Sequence, residues 1–126
     1  MSHRILVVDD NETNLDLVSR ILQLEGYEVV TAENGAMALQ KVGSIKVDMA
    51  VLDIMMPSMD GFDLCRRLRQ LPACADIPVI MLTASSGEEE KVQAEEAGAN
   101  VLFGKPFDMD TLRAHIQALL GSSGMR

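Results

Sequence analysis

The sequence predicts an α/β fold: one doubly wound, five-stranded parallel sheet in the order 2-1-3-4-5, with helices on both faces. Three observations lead there. Short apolar runs alternate strictly with amphipathic stretches along the whole chain. The runs are continuously apolar rather than alternating, as expected of strands covered on both faces. Right-handed crossovers then favour that order, which makes the first and third strands neighbours at the switch point.

Arg4 to Val8 is a continuous apolar strand that ends on Asp9-Asp10. Asn11 to Leu24 carries Leu15, Val18, Ile21 and Leu22 at helical spacing, and Gly26 is its stop signal. Tyr27 to Ala32 forms the second strand, and Asn34-Gly35 turns into a short helix with Ala38, Leu39 and Val42 inward. Met49 to Asp53 is the third strand, ending on a carboxylate; Pro57 and Gly61 punctuate the loop that follows. Gly61 to Leu71 is the third helix, with Arg66, Arg67 and Arg69 expected largely on its outer face and Cys65 in register with Phe62, Leu68 and Leu71. Pro78 to Thr83 is the fourth strand, and the acidic stretch Ser85 to Glu90 leads into a helix that runs to Gly98. Val101 to Gly104 is the fifth strand and ends at Lys105-Pro106. Asp108 is a good N-cap, with Phe107 placed to staple against Leu112, and the last helix turns Leu112, Ile116, Leu119 and Leu120 to one face. These units give one three-layer, flavodoxin-like domain over residues 1–120, and residues 121–126 read as a flexible tail or truncated linker.

Composition narrows the function. The 126 residues suffice for one real core, and 48% apolar with 24% charged residues is ordinary for a globular protein. A net charge of −8 argues against direct binding to nucleic acid or an anionic membrane. No charged leader precedes a long apolar stretch, so the expectation is a cytoplasmic protein whose two cysteines, Cys65 and Cys74, stay reduced. A disulfide or thiolate metal site needs more ligands than these.

The strand ends carry the chemistry. The first delivers Asp9 and Asp10, the third Asp53, the fourth Thr83 and the fifth Lys105, all at carboxyl ends and so on one edge of the sheet, where such folds bind ligands. Three carboxylates packed at one spot repel and call for a cation; a hard divalent ion such as Mg²⁺, with oxygen ligands, waters and a phosphate, answers that need. Lys105 adds a positive charge for a phosphoryl oxygen and Thr83 a hydroxyl donor. Each piece also has a plain structural reading. Asp9-Asp10 can cap the first helix, Thr83 can simply end a strand, and Lys105-Pro106 can be a solvated turn. Coincidence of all of them at four strand ends favours a site.

These residues also carry a family resemblance. From about Arg4 to Leu120 the chain resembles the receiver domain of bacterial two-component response regulators. Its motifs are Ile5-Leu6-Val7-Val8-Asp9-Asp10-Asn11, Leu52-Asp53-Ile54-Met55-Met56-Pro57 with Met59-Asp60-Gly61, Met81-Leu82-Thr83-Ala84, Ala97-Gly98-Ala99 and Lys105-Pro106-Phe107. The resemblance implies that Asp53 takes a phosphoryl group from a phosphohistidine of a sensor histidine kinase or phosphotransfer protein. It implies that Asp10, Asp53 and the Met55 carbonyl bind Mg²⁺ directly and Asp9 through water, that Thr83 and Lys105 hold phosphoryl oxygens, and that the Lys105–Pro106 bond is cis. No other enzymatic activity than self-phosphorylation and slow self-dephosphorylation is implied. A downstream effector and a phosphorylation-dependent homodimer are the further partners it suggests, and Met55 and Ser85 are the side chains beside Asp53 and Thr83 that could gate water. In this family the kinase-docking surface includes the first helix, where Asn14, Asp16 and Leu17 stand.

One position departs from the pattern. Receiver domains usually place Tyr or Phe three residues before the lysine, and here Leu102 stands there, with Phe103 expected on the opposite face of the strand. The alternative reading is therefore a receiver-like interaction module that is not phosphorylated in use. A phosphohydrolase of the haloacid-dehalogenase type would want an acid at position 55, where Met stands. A flavodoxin-like cofactor carrier would want a phosphate cradle after the first strand, where Asp9-Asp10 repel phosphate.

Overall fold

The computed structural model describes residues 3–56, 59–84, 87–104 and 108–124, with side chains described as far as 120. The strands are β1 (Arg4–Val8), β2 (Glu28–Ala32), β3 (Met49–Asp53), β4 (Val79–Thr83) and β5 (Val101–Gly104). The helices are α1 (Glu12–Leu24), α2 (Gly35–Val42), α3 (Gly61–Arg69), α4 (Glu88–Ala97) and α5 (Met109–Gly124), and a short 3₁₀ turn spans Pro72–Cys74. All strand pairs are parallel and the order is β2-β1-β3-β4-β5, as the alternation of elements predicts.

The pleat divides the core in two. Leu6, Val8, Ala50, Leu52, Val79 and Met81 face one side, under Ala38 and Val42 of α2, Leu64, Cys65 and Leu68 of α3, and Ala94 and Ala97 of α4. Ile5, Val7, Met49, Val51, Ile80 and Leu82 face the other, under Leu15, Val18 and Leu22 of α1 and Leu112, Ile116 and Leu120 of α5. Successive strand residues thus feed alternate layers, which is why the central strands read as unbroken apolar runs. The edge strands β2 and β5 are only half covered.

Side chains start the helices where short polar residues precede apolar periodicity. Asn11 accepts from the Asn14 N–H at 3.0 Å, Asn34 from Met37 at 2.8 Å, Asp60 from Asp63 at 2.9 Å and Asp108 from Thr111 at 3.2 Å. The cap of α1 is therefore Asn11 and not the Asp9-Asp10 pair, which leaves those acids to other work. Gly26 closes α1 with φ 94°, its N–H donating to Gln23 and that of Tyr27 to Leu22. The helical backbone of α5 runs on to Gly124, beyond its last buried position at Leu120. Phe107 of the expected staple lies outside the described residues.

The expectation that the α3 arginines point outward needs correction at one of the three. Arg66 is exposed and pairs with Asp63 at 2.8 Å. Arg67 is exposed as well. Arg69 is half-buried and donates to the carbonyls of Cys74 (3.0 Å), Ala75 (3.3 Å), Ile77 (2.6 Å) and Gly98 (2.7 Å), and to Asn100 Oδ1 (3.3 Å). A side chain at an outer position reaches back along its own length to tie down loops, because the guanidinium carries several donors at the end of an apolar stem.

Candidate functional site

Two adjacent strands end in acids, and the register brings those ends together. Val8 pairs with Leu52 across β1 and β3, so Asp9 and Asp10 follow β1 beside Asp53 at the end of β3. The carboxylates of Asp9, Asp10 and Asp53 each offer an oxygen within 4.8 Å of the others. Asp9 and Asp53 are each 4% exposed, and Asp10 stands open to solvent. An Oδ1 of Asp9 accepts from the Asn11 N–H at 2.9 Å, which orients that carboxylate at the entry to α1.

Thr83 ends β4 next to this group: Asp53 pairs with Leu82, and the Ile54 N–H donates to the Leu82 carbonyl at 3.0 Å. The threonine is 2% exposed, yet it shares the wall of an open cleft with Asp10, Met55, Ala84, Glu90 and Gln93. The cleft encloses about 650 Å³ and runs from Asp10 and Asp60 toward the first turn of α4. The Met55 side chain is 68% exposed at its rim. Lys105, Pro106 and Ser85 lie outside the described residues, so the lysine, its peptide bond and the serine have no place in this geometry.

The loop after β3 is held from behind. The Gly61 N–H donates to the Ile54 carbonyl at 3.0 Å, and Asp60 caps α3. A Cβ at position 61 would come within 2.9 Å of both the Asp53 carbonyl oxygen and Ile54 Cα. Glycine is thus required by close approach of α3 to the backbone of the acceptor candidate. From sequence, Gly61 marks the end of a loop, the start of α3 and part of the family motif; the steric need for glycine shows once α3 is seen to begin against β3.

Chemically, three hard oxygen donors converging at one spot fit a small divalent cation, which replaces mutual repulsion by shared attraction. A hydroxyl at the neighbouring strand end adds a donor for an anion bound there. A carboxylate, a cation site and a hydroxyl at the carboxyl edge of a parallel sheet make a place for phosphoryl chemistry rather than hydride or acyl transfer.

The family model for the response regulator receiver domain matches residues 5–117. The chain belongs to that family. As a receiver domain of two-component response regulators it has close structural company. The Vibrio cholerae chemotaxis protein CheY4 superposes with a TM-score of 0.91 at 34% identity, covering 94% of this chain and 99% of that one. The signal receiver domain of a histidine kinase from Syntrophus aciditrophicus also gives 0.91, at 33% identity over 99% of this receiver domain and 95% of the other chain. Among curated relatives, the DNA-binding dual master transcriptional regulator RpaA of Synechocystis is 41% identical over 93% of this chain. The response regulator PleD of Caulobacter vibrioides is 44% identical over 94%. The receiver domain spans 48% of the length of RpaA and 26% of PleD. No helix among the described residues is long and apolar enough to cross a membrane.

At the departure from the family pattern, the pleat separates Leu102 from Phe103. Leu102 pairs with Met81 and packs half-buried on the α2–α3–α4 side. Phe103 faces α1 and α5, its ring edge-to-face with His115 at 4.9 Å.

Proposed function

We propose that Asp53 is the phosphoacceptor of this receiver domain, taking a phosphoryl group from the phosphohistidine of a sensor histidine kinase or phosphotransfer protein. The observation that carries the reading is the convergence of the Asp9, Asp10 and Asp53 oxygens within 4.8 Å at the carboxyl ends of β1 and β3. Asp9, Asp10, Asp53 and the Met55 carbonyl would hold Mg²⁺, and their hard oxygen donors suit it. When bound, Mg²⁺ supplies neutralisation of charge on the transferring phosphoryl group.

The chain's own residues do the rest. An Asp53 oxygen forms a bond to phosphorus as the P–N bond to the donor imidazole breaks; the imidazole keeps that electron pair and takes up a proton. Strand β3 holds the Asp53 backbone at the sheet edge, and a positioned carboxylate is what in-line transfer needs. The Thr83 hydroxyl donates to one phosphoryl oxygen and Lys105 pairs with another. The new dianion biases the surface presented to a downstream effector, or to a second copy of the chain, by its different contacts in the two states. The domain then works as a cytoplasmic switch with no enzymatic activity beyond its own phosphorylation and slow dephosphorylation.

The test is intact mass after incubation with acetyl phosphate, with and without Mg²⁺, beside Asp53→Asn. A Mg²⁺-dependent phosphoryl adduct absent from the variant is the expected result. Folded wild-type protein that takes no adduct, under conditions that label another receiver domain, overturns the mechanism in favour of an interaction module that is not phosphorylated.

A further inference from the structure

Among the described residues, the firm anchor of helix α4 is at its C-terminal end. At its C-terminal end, Gly98 takes the left-handed conformation (φ 97°), its N–H donating to Glu95 and that of Ala99 to Ala94. The Gly98 carbonyl then accepts both Nε (3.1 Å) and an Nη (2.7 Å) of Arg69. The arginine stem lies directly on this glycine: a Cβ there would meet Nε at 3.1 Å and Cγ at 3.2 Å. Asn100 closes the arrangement, donating from its N–H to the Val79 carbonyl and accepting the Val79 N–H on Oδ1, both at 2.8 Å. The same guanidinium also binds the carbonyls of Cys74, Ala75 and Ile77. One side chain of α3 therefore joins the lead-in to β4, the end of α4 and the lead-in to β5.

Among the described residues, the other end of α4 shows no comparable clamp. Gly87 precedes the helix and supplies no side-chain cap. Glu88, Glu89 and Glu90 crowd the first turn, where they suit the helix dipole but repel one another. The buried residues of α4 are Ala94 and Ala97, both in its second half, and Val92 is 48% exposed. Glu90 and Gln93, near this less anchored end, line the same cleft as Asp10 and Thr83.

We infer that Arg69 fixes the C-terminal end of α4 as a hinge, so that events in the acidic cleft move the helix at its N-terminal end. Ten residues make a lever about 15 Å long, with a pivot of neutral oxygens around one guanidinium. Arginine suits the pivot because a planar fork reaches several carbonyls at once, which the ammonium of lysine does not. The hinge stands on this geometry alone; its coupling to the acceptor rests on the reading of Asp53 given above.

Residue-resolved hydrogen exchange of the wild type, Arg69→Lys and Arg69→Gln, each with Mg²⁺ and with or without acetyl phosphate, tests it. In the unmodified wild type the amides of Gly98, Ala99 and Asn100 exchange about 100-fold more slowly than those of Lys91 and Val92. Arg69→Gln abolishes that gradient while β1 and β3 keep their protection, and Arg69→Lys restores part of it. On formation of the adduct, the wild type changes exchange only in the first half of α4; in Arg69→Gln the change spreads to Asn100. A simple structural role for Arg69 does not produce that spread. Even protection along wild-type α4, an unchanged gradient in Arg69→Gln, or an adduct effect that already reaches Asn100 in the wild type overturns the hinge. If Arg69→Gln loses protection in every strand, the wild type and Arg69→Lys carry the comparison with the same criteria. If no adduct forms, the unmodified proteins still decide the hinge, and the failure belongs to the reading of Asp53 alone.

Discussion

Gly61 and Asp53 are bound by a close approach that leaves no room for a side chain. A Cβ at position 61 would lie 2.9 Å from the Asp53 carbonyl oxygen and equally close to Ile54 Cα. Both obstacles are backbone, so neither can rotate away. The start of α3 thereby presses on the strand end that carries the proposed acceptor, and its N–H holds the Ile54 carbonyl at 3.0 Å.

Gly61→Ala must push α3 and the end of β3 apart. Overpacking of this kind costs about 1–3 kcal/mol, measurable by urea unfolding. Because the shift falls on the backbone of the proposed acceptor, labelling of Asp53 by acetyl phosphate should also slow about tenfold or more. Asp60→Ala is the comparison for stability alone: it removes the cap of α3 at a cost of about 1 kcal/mol, but also takes a carboxylate from the wall of the cleft. Equal labelling rates in wild type and Gly61→Ala would refute the positional argument.

If the crowded Asp9, Asp10 and Asp53 hold Mg²⁺ as proposed, stability should depend on it. Each tenfold rise in Mg²⁺ above its dissociation constant should add about 1.4 kcal/mol to the wild type, seen as a rising Tm. Asp53→Asn removes one of the three carboxylates, so its Mg²⁺-dependent gain should be less than half as large at the same concentration. EDTA should return the wild type to its metal-free Tm. An equal gain in both proteins would place the cation elsewhere.

Cys65 and Cys74 are both reduced and buried on the α3 side of the sheet. Burial pushes both thiols above their ordinary value of 9.0, against the opposing pull of nearby Arg69. A thiol that keeps its proton more tightly in the folded state than in the unfolded one contributes stability that is complete below pH 9. That contribution is lost as pH rises from there through the folded value. Unfolding midpoints should therefore fall as pH rises above about 9, and fall less in the double variant Cys65→Ala, Cys74→Ala. Tyr27, raised above 10.0 by its own burial and by Glu25, leaves a residual decline in that variant. A decline of the same size in both proteins would show that the thiols do not cause it.

The strands and the acids at their ends were legible because one physical fact governs both. Strands buried on two faces must be apolar throughout, so the first acid after such a run marks the strand end, as Asp9 does after Val8 and Asp53 itself does after Leu52. The separation of Leu102 from Phe103 follows equally from the pleat. Arg69 was not legible, since helical periodicity reports where a Cβ points and not where a long side chain ends. Nor was the need for glycine at position 61, which depends on how closely α3 approaches β3. Lys105, read from its position after β5, lies outside the described residues.

Leu102 separates packing from phosphoryl chemistry. It stands beside Met81, two residues along β4 from Thr83, whose own partner in β5 is Gly104. Its side chain packs half-buried on the α4 side of the sheet and is not among those lining the acidic cleft. Leu102→Ala should therefore cost about 1–2 kcal/mol in urea unfolding, less than a fully buried leucine would. The rate at which acetyl phosphate labels Asp53 should stay within about twofold of the wild type, well under the tenfold that 1.4 kcal/mol of barrier would bring. Phe103→Ala, on the opposite face, removes the edge contact with His115 and should likewise leave labelling intact. A large loss of labelling in Leu102→Ala alone would mean that this leucine shapes the site, and that the side of β5 facing α4 takes part in phosphoryl transfer.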